Sequence, residues 1–106
     1  MPPVDRAQIE QRVIEALRQV YDPEIPVNIH ELGLIYGFEV SPAGAVAIRM
    51  TLTAAGCPAA QVLPDEVERR VRAVPGVTDV RVEITFDPPW DQSRMSEAAR
   101  LQLGLL

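Results

Sequence analysis

The chain contains one cysteine, Cys57, and its setting gives it more chemistry to offer than any other side chain. It stands in TLTAAGCP, directly before Pro58, and proline is favoured at the first position of a helix. Unpaired backbone N–H groups and the positive end of the helix dipole stabilise a thiolate there, so the thiol is expected to titrate below its free value of ~8.5. The thiolate is the form that binds a metal or attacks an electrophile. Gly56 lets other groups approach the backbone closely. Against this stands the reading of Cys57 as a small buried residue at a helix start, and position alone leaves the two level.

Other candidates are weaker taken singly. Thr51 and Thr53 are placed on one strand face that ends beside Cys57, where their hydroxyls could hydrogen-bond the sulfur or a ligand; ordinary strand-forming threonines are the better reading in isolation. Asp22, Glu24 and Glu31 are acids in a proline-constrained stretch, able to supply hard ligands or a general base, though such residues more often cap turns and helix starts. His30 is the one histidine, and a lone histidine is usually a surface or hydrogen-bonded residue. Trp90, beside two prolines, is a candidate anchor for a partner, with the covering of a core edge as the stronger alternative. No Gly-rich phosphate loop, HExxH or GxSxG motif occurs. A single cysteine excludes an internal disulfide, and a conventional iron–sulfur site takes four thiolates.

Periodicity supplies the elements that position these residues. Ile9, Val13, Leu17 and Val20 recur at helical spacing, which predicts a helix over Asp5–Tyr21 with Asp5 as N-cap. Asp22-Pro23 stops it. Leu34–Val40 and Ala45–Thr53 read as strands joined by the turn Ser41-Pro42-Ala43-Gly44. In the second strand, Val46, Ile48, Met50 and Leu52 share one face; Arg49, Thr51 and Thr53 share the other. Leu63, Val67, Val71 and Val74 give the helix after Cys57 its buried stripe, with a kink or broken first turn expected at Pro64. Val80, Val82, Ile84 and Phe86 alternate with polar residues in a third strand, over Val77–Phe86. It should run parallel to the second, because the intervening helix makes a right-handed crossover. Ser93–Leu103 closes the chain as a short helix stopped by Gly104. The expected fold class is α+β: a two-layer single domain over residues 1–106, in the order α-β-β-α-β-α, with a small mixed three-stranded sheet.

Composition bounds the function. A chain of 106 residues, 47% of them hydrophobic, can bury one modest core without disulfides. The net charge of -5 argues against a nucleic-acid binder, which needs a basic face. No segment approaches the ~20 apolar residues that span a membrane. The first residues lack the apolar run of a signal peptide, so the expected location is cytoplasmic.

Four stretches together, DPEIPVNIHELGLIY, TLTAAGCP, VPGVTDVRVEITFDPPW and MSEAARLQLGL, resemble the SufT-type, metal–sulfur cluster biosynthesis family, across nearly the whole chain. A related branch is formed by PaaD-like proteins, which serve phenylacetyl-CoA oxygenase systems. That branch resembles this domain plus a cysteine-containing extension; this sequence ends at Leu106 without another cysteine, which weakens the oxygenase-specific reading. The resemblance implies an accessory, non-enzymatic role in iron–sulfur cluster assembly or delivery. It places the family's reactive cysteine at Cys57, its acidic turn at Asp22 and Glu24 with Glu31 following, and its threonines at Thr51 and Thr53. The implied cargo is a transient iron–sulfur cluster or iron, none permanently bound. The implied partners are iron–sulfur assembly proteins and client apoproteins, with a homodimer as a way to bring two thiolates together. Two other readings stand beside it: a non-catalytic adaptor that docks clients, with Cys57 structural, and, ranked last, a small thiol enzyme, for which neither a base nor a resolving cysteine is in view.

Overall fold

The computed structural model describes residues 5–22, 25–53 and 59–105. Helix α1, Arg6–Leu17, begins where Asp5 accepts a hydrogen bond from the Ala7 N–H. It buries Ile9, Val13 and Leu17, the expected stripe. It ends earlier than the Tyr21 expected from sequence, because the next residues are used otherwise. Gln19 and Val20 make tight bonds back to Ala16 and Leu17, then Tyr21 pairs with Asn28 in an isolated antiparallel bridge. The bridge turns the chain back on itself, and the Ile29 N–H donates to the Val20 carbonyl at 2.9 Å.

A short helix follows that the periodicity did not reveal: α2, Ile29–Leu32. Asn28 caps it by accepting from the Glu31 N–H at 3.0 Å, and Gly33 ends it at φ 80°. Strand β1, Ile35–Val40, and strand β2, Ala45–Met50, pair antiparallel through the expected turn, in which Gly44 takes a φ of 89°. Strand β3, Asp79–Ile84, pairs parallel with β2, as the crossover rule requires. The sheet order is β1-β2-β3, with β2 in the centre.

Helix α3, Ala59–Arg72, provides the crossover. It runs unbroken through Pro64, so the break expected there does not occur. Pro64 is the sixth residue of the helix, so the bond it cannot donate, to residue 60, falls near the N-terminal end, where few bonds precede it. The last expected helix is divided in two: a 3-10 turn at Gln92–Arg94 and helix α4, Glu97–Gln102. Each part has its own cap, Asp91 for the first and Ser96 for the second, and the extended backbone of Met95 separates them.

Helices α1 and α3 pack on each other and on one face of the sheet, which makes two layers. Val46, Ile48 and Met50 of β2 and Val80 of β3 meet the α1 stripe and Leu63, Val67 and Val71 of α3 in one core. The alternation ends at Met50. Thr51 and Leu52 are both buried, so Thr51 and Thr53 do not share a strand face as expected. Phe86 lies beyond β3 and is exposed rather than buried with Val80. On the second face of the sheet Glu39, Ala47, Arg49, Arg81 and Glu83 are exposed.

Candidate functional site

The site is assembled around the point where β2 gives out. The Thr51 N–H donates to the Leu34 carbonyl at 2.8 Å, and the Leu34 N–H donates to the Ile29 carbonyl at 3.1 Å. Together with the Ile29–Val20 bond, these tie the Asp22 turn, α2 and the exit of β2 into one corner. Two of the four motifs, DPEIPVNIHELGLIY and the TLT of TLTAAGCP, thus meet in space.

The third and fourth motifs lock onto the same corner. The Trp90 indole N–H donates to the Leu32 carbonyl at 2.7 Å, across 58 residues of sequence. The Tyr36 hydroxyl donates to the Pro88 carbonyl at 2.7 Å, and the Ser96 N–H donates to the Glu31 carbonyl at 2.8 Å. The Arg94 guanidinium lies 4.6 Å from the centroid of the Tyr36 ring, a cation–π contact. A β-bulge between Ile35 and Gly37 accompanies this placement of Tyr36. Gly33 is needed here for two reasons: its φ of 80° disfavours a side chain, and a Cβ would run into the Arg94 carbonyl. No local sequence signal marks these contacts, although Asn28 three residues before Glu31 and Gly33 just after Leu32 are readable helix punctuation.

The candidate residues fall as follows. Asp22 is buried, and its carboxylate accepts from the Ile25 N–H at 3.1 Å, so it shapes the turn that follows it. Glu31 is partly buried, with the Arg18 guanidinium 3.9 Å away. Thr51 is fully buried, and its hydroxyl oxygen finds no hydrogen-bond partner among the described residues. Thr53 is half-buried just beyond it. Trp90 is half-buried and packed on the core, with its N–H already satisfied. Cys57 and Glu24 lie outside the described residues. His30 has a buried Nδ1 with no partner among the described residues, and its pKa is pushed below the ordinary imidazole value, by burial first and by Arg18 second, with Glu31 opposing. No group of three or more His, Cys, Asp or Glu able to hold a metal occurs among the described residues. At the same end of the sheet a recess of about 700 Å³ is lined by Gly33, Ile35, Tyr36, Arg49, Pro88, Ser93 and Arg94, two arginines and no carboxylate.

The arrangement is therefore a hydrogen-bonded corner carrying a buried hydroxyl with no partner among the described residues, and the cysteine follows four residues after Thr53 in the sequence.

Comparison with known proteins agrees with the fold of the chain. Residues 10–84 match the family described as iron-sulfur cluster assembly protein. An Fe-S protein maturation auxiliary factor of Porphyromonas gingivalis is 48% identical over 99 residues, covering 93% of this chain and 94% of that protein. The Fe-S protein maturation auxiliary factor SufT of Staphylococcus aureus is 37% identical, covering 81% of this chain and 98% of that protein. The crystal structure of the domain of unknown function DUF59 from Bacillus anthracis superposes with a TM-score of 0.88 at 33% identity, covering 95% of this chain and 96% of that one.

Proposed function

The chain belongs to the iron–sulfur cluster assembly protein family, and on that premise we propose that it is a non-catalytic accessory factor that works through Cys57. Cys57 holds a cluster or an iron ion transiently, or contacts a carrier that does, and passes it to client apoproteins. It does so in the cytoplasm and among other iron–sulfur assembly proteins. The observation that carries this reading is the convergence of the family's motifs on one corner, with the buried Thr51 hydroxyl, which has no partner among the described residues, at the start of the segment that leads to the cysteine.

The chemistry of the chain supports transience. One thiolate is an incomplete set for a cluster, so any site at Cys57 must borrow ligands from a second copy, a partner or a small thiol. Borrowed ligands are exchangeable, which suits a protein that must release what it holds. Asp22 and Glu31 act here as supports: one shapes a turn and the other braces α2 against Arg18. Glu24 and Thr53 are proposed to tune the site, and the outer face of Trp90 to meet a client.

Iron and acid-labile sulfide, measured on anaerobically purified protein beside the Cys57→Ser variant, test this. Substoichiometric iron lost in the serine variant agrees with the reading. Equal iron in both proteins refutes a ligand role for Cys57 and leaves the adaptor.

A further inference from the structure

The recess of about 700 Å³ beside the candidate corner is built from separate parts of the sequence. Strand β2 supplies Arg49, the start of β1 supplies Ile35 and Tyr36, and the segment after β3 supplies Pro88, Ser93 and Arg94. The β-bulge accounts for Tyr36. Ile35 pairs with Met50 and Gly37 with Arg49, so Tyr36 is an extra residue opposite Arg49. Its hydroxyl donates to the Pro88 carbonyl at 2.7 Å, which ties β1 to the segment after β3. The Arg94 guanidinium lies over the Tyr36 ring, 4.6 Å from its centroid.

The charge of this recess sets it apart. Arg49 and Arg94 are exposed, and neither makes an ion pair within 4.0 Å among the described residues. The acids near them are placed otherwise. Glu83 stands beside Arg49 in the strand register and makes no ion pair with it. Asp91 feels the Arg94 charge, but its carboxylate accepts from the Ser93 N–H at 2.7 Å and from the Ser93 hydroxyl. Three other recesses over the described residues each have an acid in their walls: Glu39 and Asp79 over Ala45, Glu39 and Glu83 over Gly37, and Glu10 and Glu15 along α1. Arg49 also borders the second of these, from the side of Glu83. The walls on the Tyr36 side hold two guanidinium groups and no carboxylate, on a chain whose net charge is -5.

We propose that this recess docks an acidic segment of a partner protein, with one carboxylate taken by Arg49 and a second by Arg94. A guanidinium presents a planar fork of N–H donors that matches a carboxylate two bonds at a time. Stacking on Tyr36 limits the orientations open to Arg94 before anything binds, which lowers the cost of ordering it. The two groups stand on different walls, and the recess is much larger than one carboxylate. Two acids carried on one chain therefore fill it better than a single small anion. The negative charge of the chain as a whole does not prevent this. Charges farther away than ~8 Å are largely screened at physiological ionic strength, whereas the two arginines act in contact.

The position of the recess has a consequence for function. Gly33 belongs both to its wall and to the end of α2, and Arg49 lies two residues before Thr51 on β2. A segment docked there lies against α2 and the exit of β2, so a client or assembly protein held by an acidic stretch is brought to the candidate site. That consequence rests on the functional reading above; the recess and the chemistry it selects do not. Exposed charge pairs are individually weak, so the docking is of modest affinity, as suits a partner that must leave.

A nuclear magnetic resonance titration of the metal-free full chain with an acetylated, amidated tetraglutamate peptide tests the proposal. Neither a cluster nor the role of Cys57 enters the outcome. The peptide should shift the Arg49 and Arg94 Nε–H resonances with a dissociation constant of about 1 mM or tighter at low salt, and the tetraglutamine peptide should shift neither. Arg49→Gln and Arg94→Gln should each weaken binding about fivefold. Arg81→Gln removes the same charge from the same face of the sheet, outside the recess, and should leave the constant within about twofold. All three positions are exposed, and circular dichroism checks folding; if one recess variant fails to fold, the other asks the same question. Absence of tetraglutamate binding, indifference to the recess variants, or an equal loss in Arg81→Gln would overturn the proposal. So would citrate bound as tightly as the peptide, which would make this a site for a small anion.

Discussion

Thr51 offers a prediction in which stability and function move in opposite directions. Its side chain is fully buried, and its hydroxyl oxygen has no partner among the described residues. A buried hydroxyl left unpaired costs about 1–3 kcal/mol. Valine has nearly the same shape and carries no polar atom to desolvate. The backbone bond from the Thr51 N–H to the Leu34 carbonyl at 2.8 Å is untouched by the exchange. Thr51→Val should therefore stabilise the fold by about 1 kcal/mol, the low end of that range. For a chain of this size that is an upward shift of about 4 °C in Tm. Thr51→Ser keeps the hydroxyl and deletes a buried methyl group, and should cost about 1 kcal/mol. Thermal and urea unfolding of the three proteins, side by side, reads both numbers. If Thr51 serves the site as proposed, client support should fall in Thr51→Val despite its greater stability. A Thr51→Val protein that is destabilised by 1 kcal/mol or more, on the scale of a lost net hydrogen bond, would mean that the hydroxyl is already bonded within the fold. The reasoning would then fail.

Three further outcomes are expected. Trp90→Phe should cost about 1–2 kcal/mol in urea unfolding, because it strands the Leu32 carbonyl that now accepts at 2.7 Å, and a neutral result would mean that water takes the place of the indole. Gly33→Ala should cost about 3 kcal/mol or more, from positive φ and from overlap with the Arg94 carbonyl, while Gly104→Ala, at a similar φ with open space around it, should cost only about 1 kcal/mol. His30 is held neutral, so the native state binds fewer protons than the unfolded chain between its lowered pKa and about 6.5. Stability contributed by the neutral imidazole is then complete above about 6.5 and is lost as pH falls through that window; in His30→Gln, unfolding measured from pH 7.5 down to 5 should lack this part of the slope.

The parts of the fold that declare themselves through period were legible in the sequence. Val46, Ile48 and Met50 alternate because β2 has one dry face, and Leu63, Val67 and Val71 repeat because α3 has one buried stripe. The crossover rule then made β3 parallel without further information. Where period is absent, sequence reading ran long. The apolar stripe of the first helix continues through Val20 and so predicts a helix to Tyr21, yet Tyr21 is used in a bridge to Asn28. The second strand's alternation predicts a strand to Thr53, because alternation has no stop signal of its own. Helix α2 is one turn long, too short for periodicity, and only its caps announce it.

The candidate site was legible as a set of motifs but not as a place. Nothing local links Trp90 to Leu32 or Tyr36 to Pro88; those bonds close over more than fifty residues. The bond from Trp90 to the α2 corner explains why the aromatic of the PPW segment sits against the core while its outer part remains open. The burial of Thr51 follows from the end of strand pairing, since the chain turns inward after Met50 and ties to Leu34.

The central claim is that Cys57 does the work of this accessory factor. The most direct test is the activity of client iron–sulfur enzymes in cells whose sole copy is Cys57→Ser. Serine is nearly isosteric with cysteine, so the variant should accumulate and unfold like the parent. Client activity at the level of a deletion strain, with normal amounts of the folded variant, is the expected result. Full client activity in the same cells would contradict the account and leave an adaptor in which the thiol is only structural.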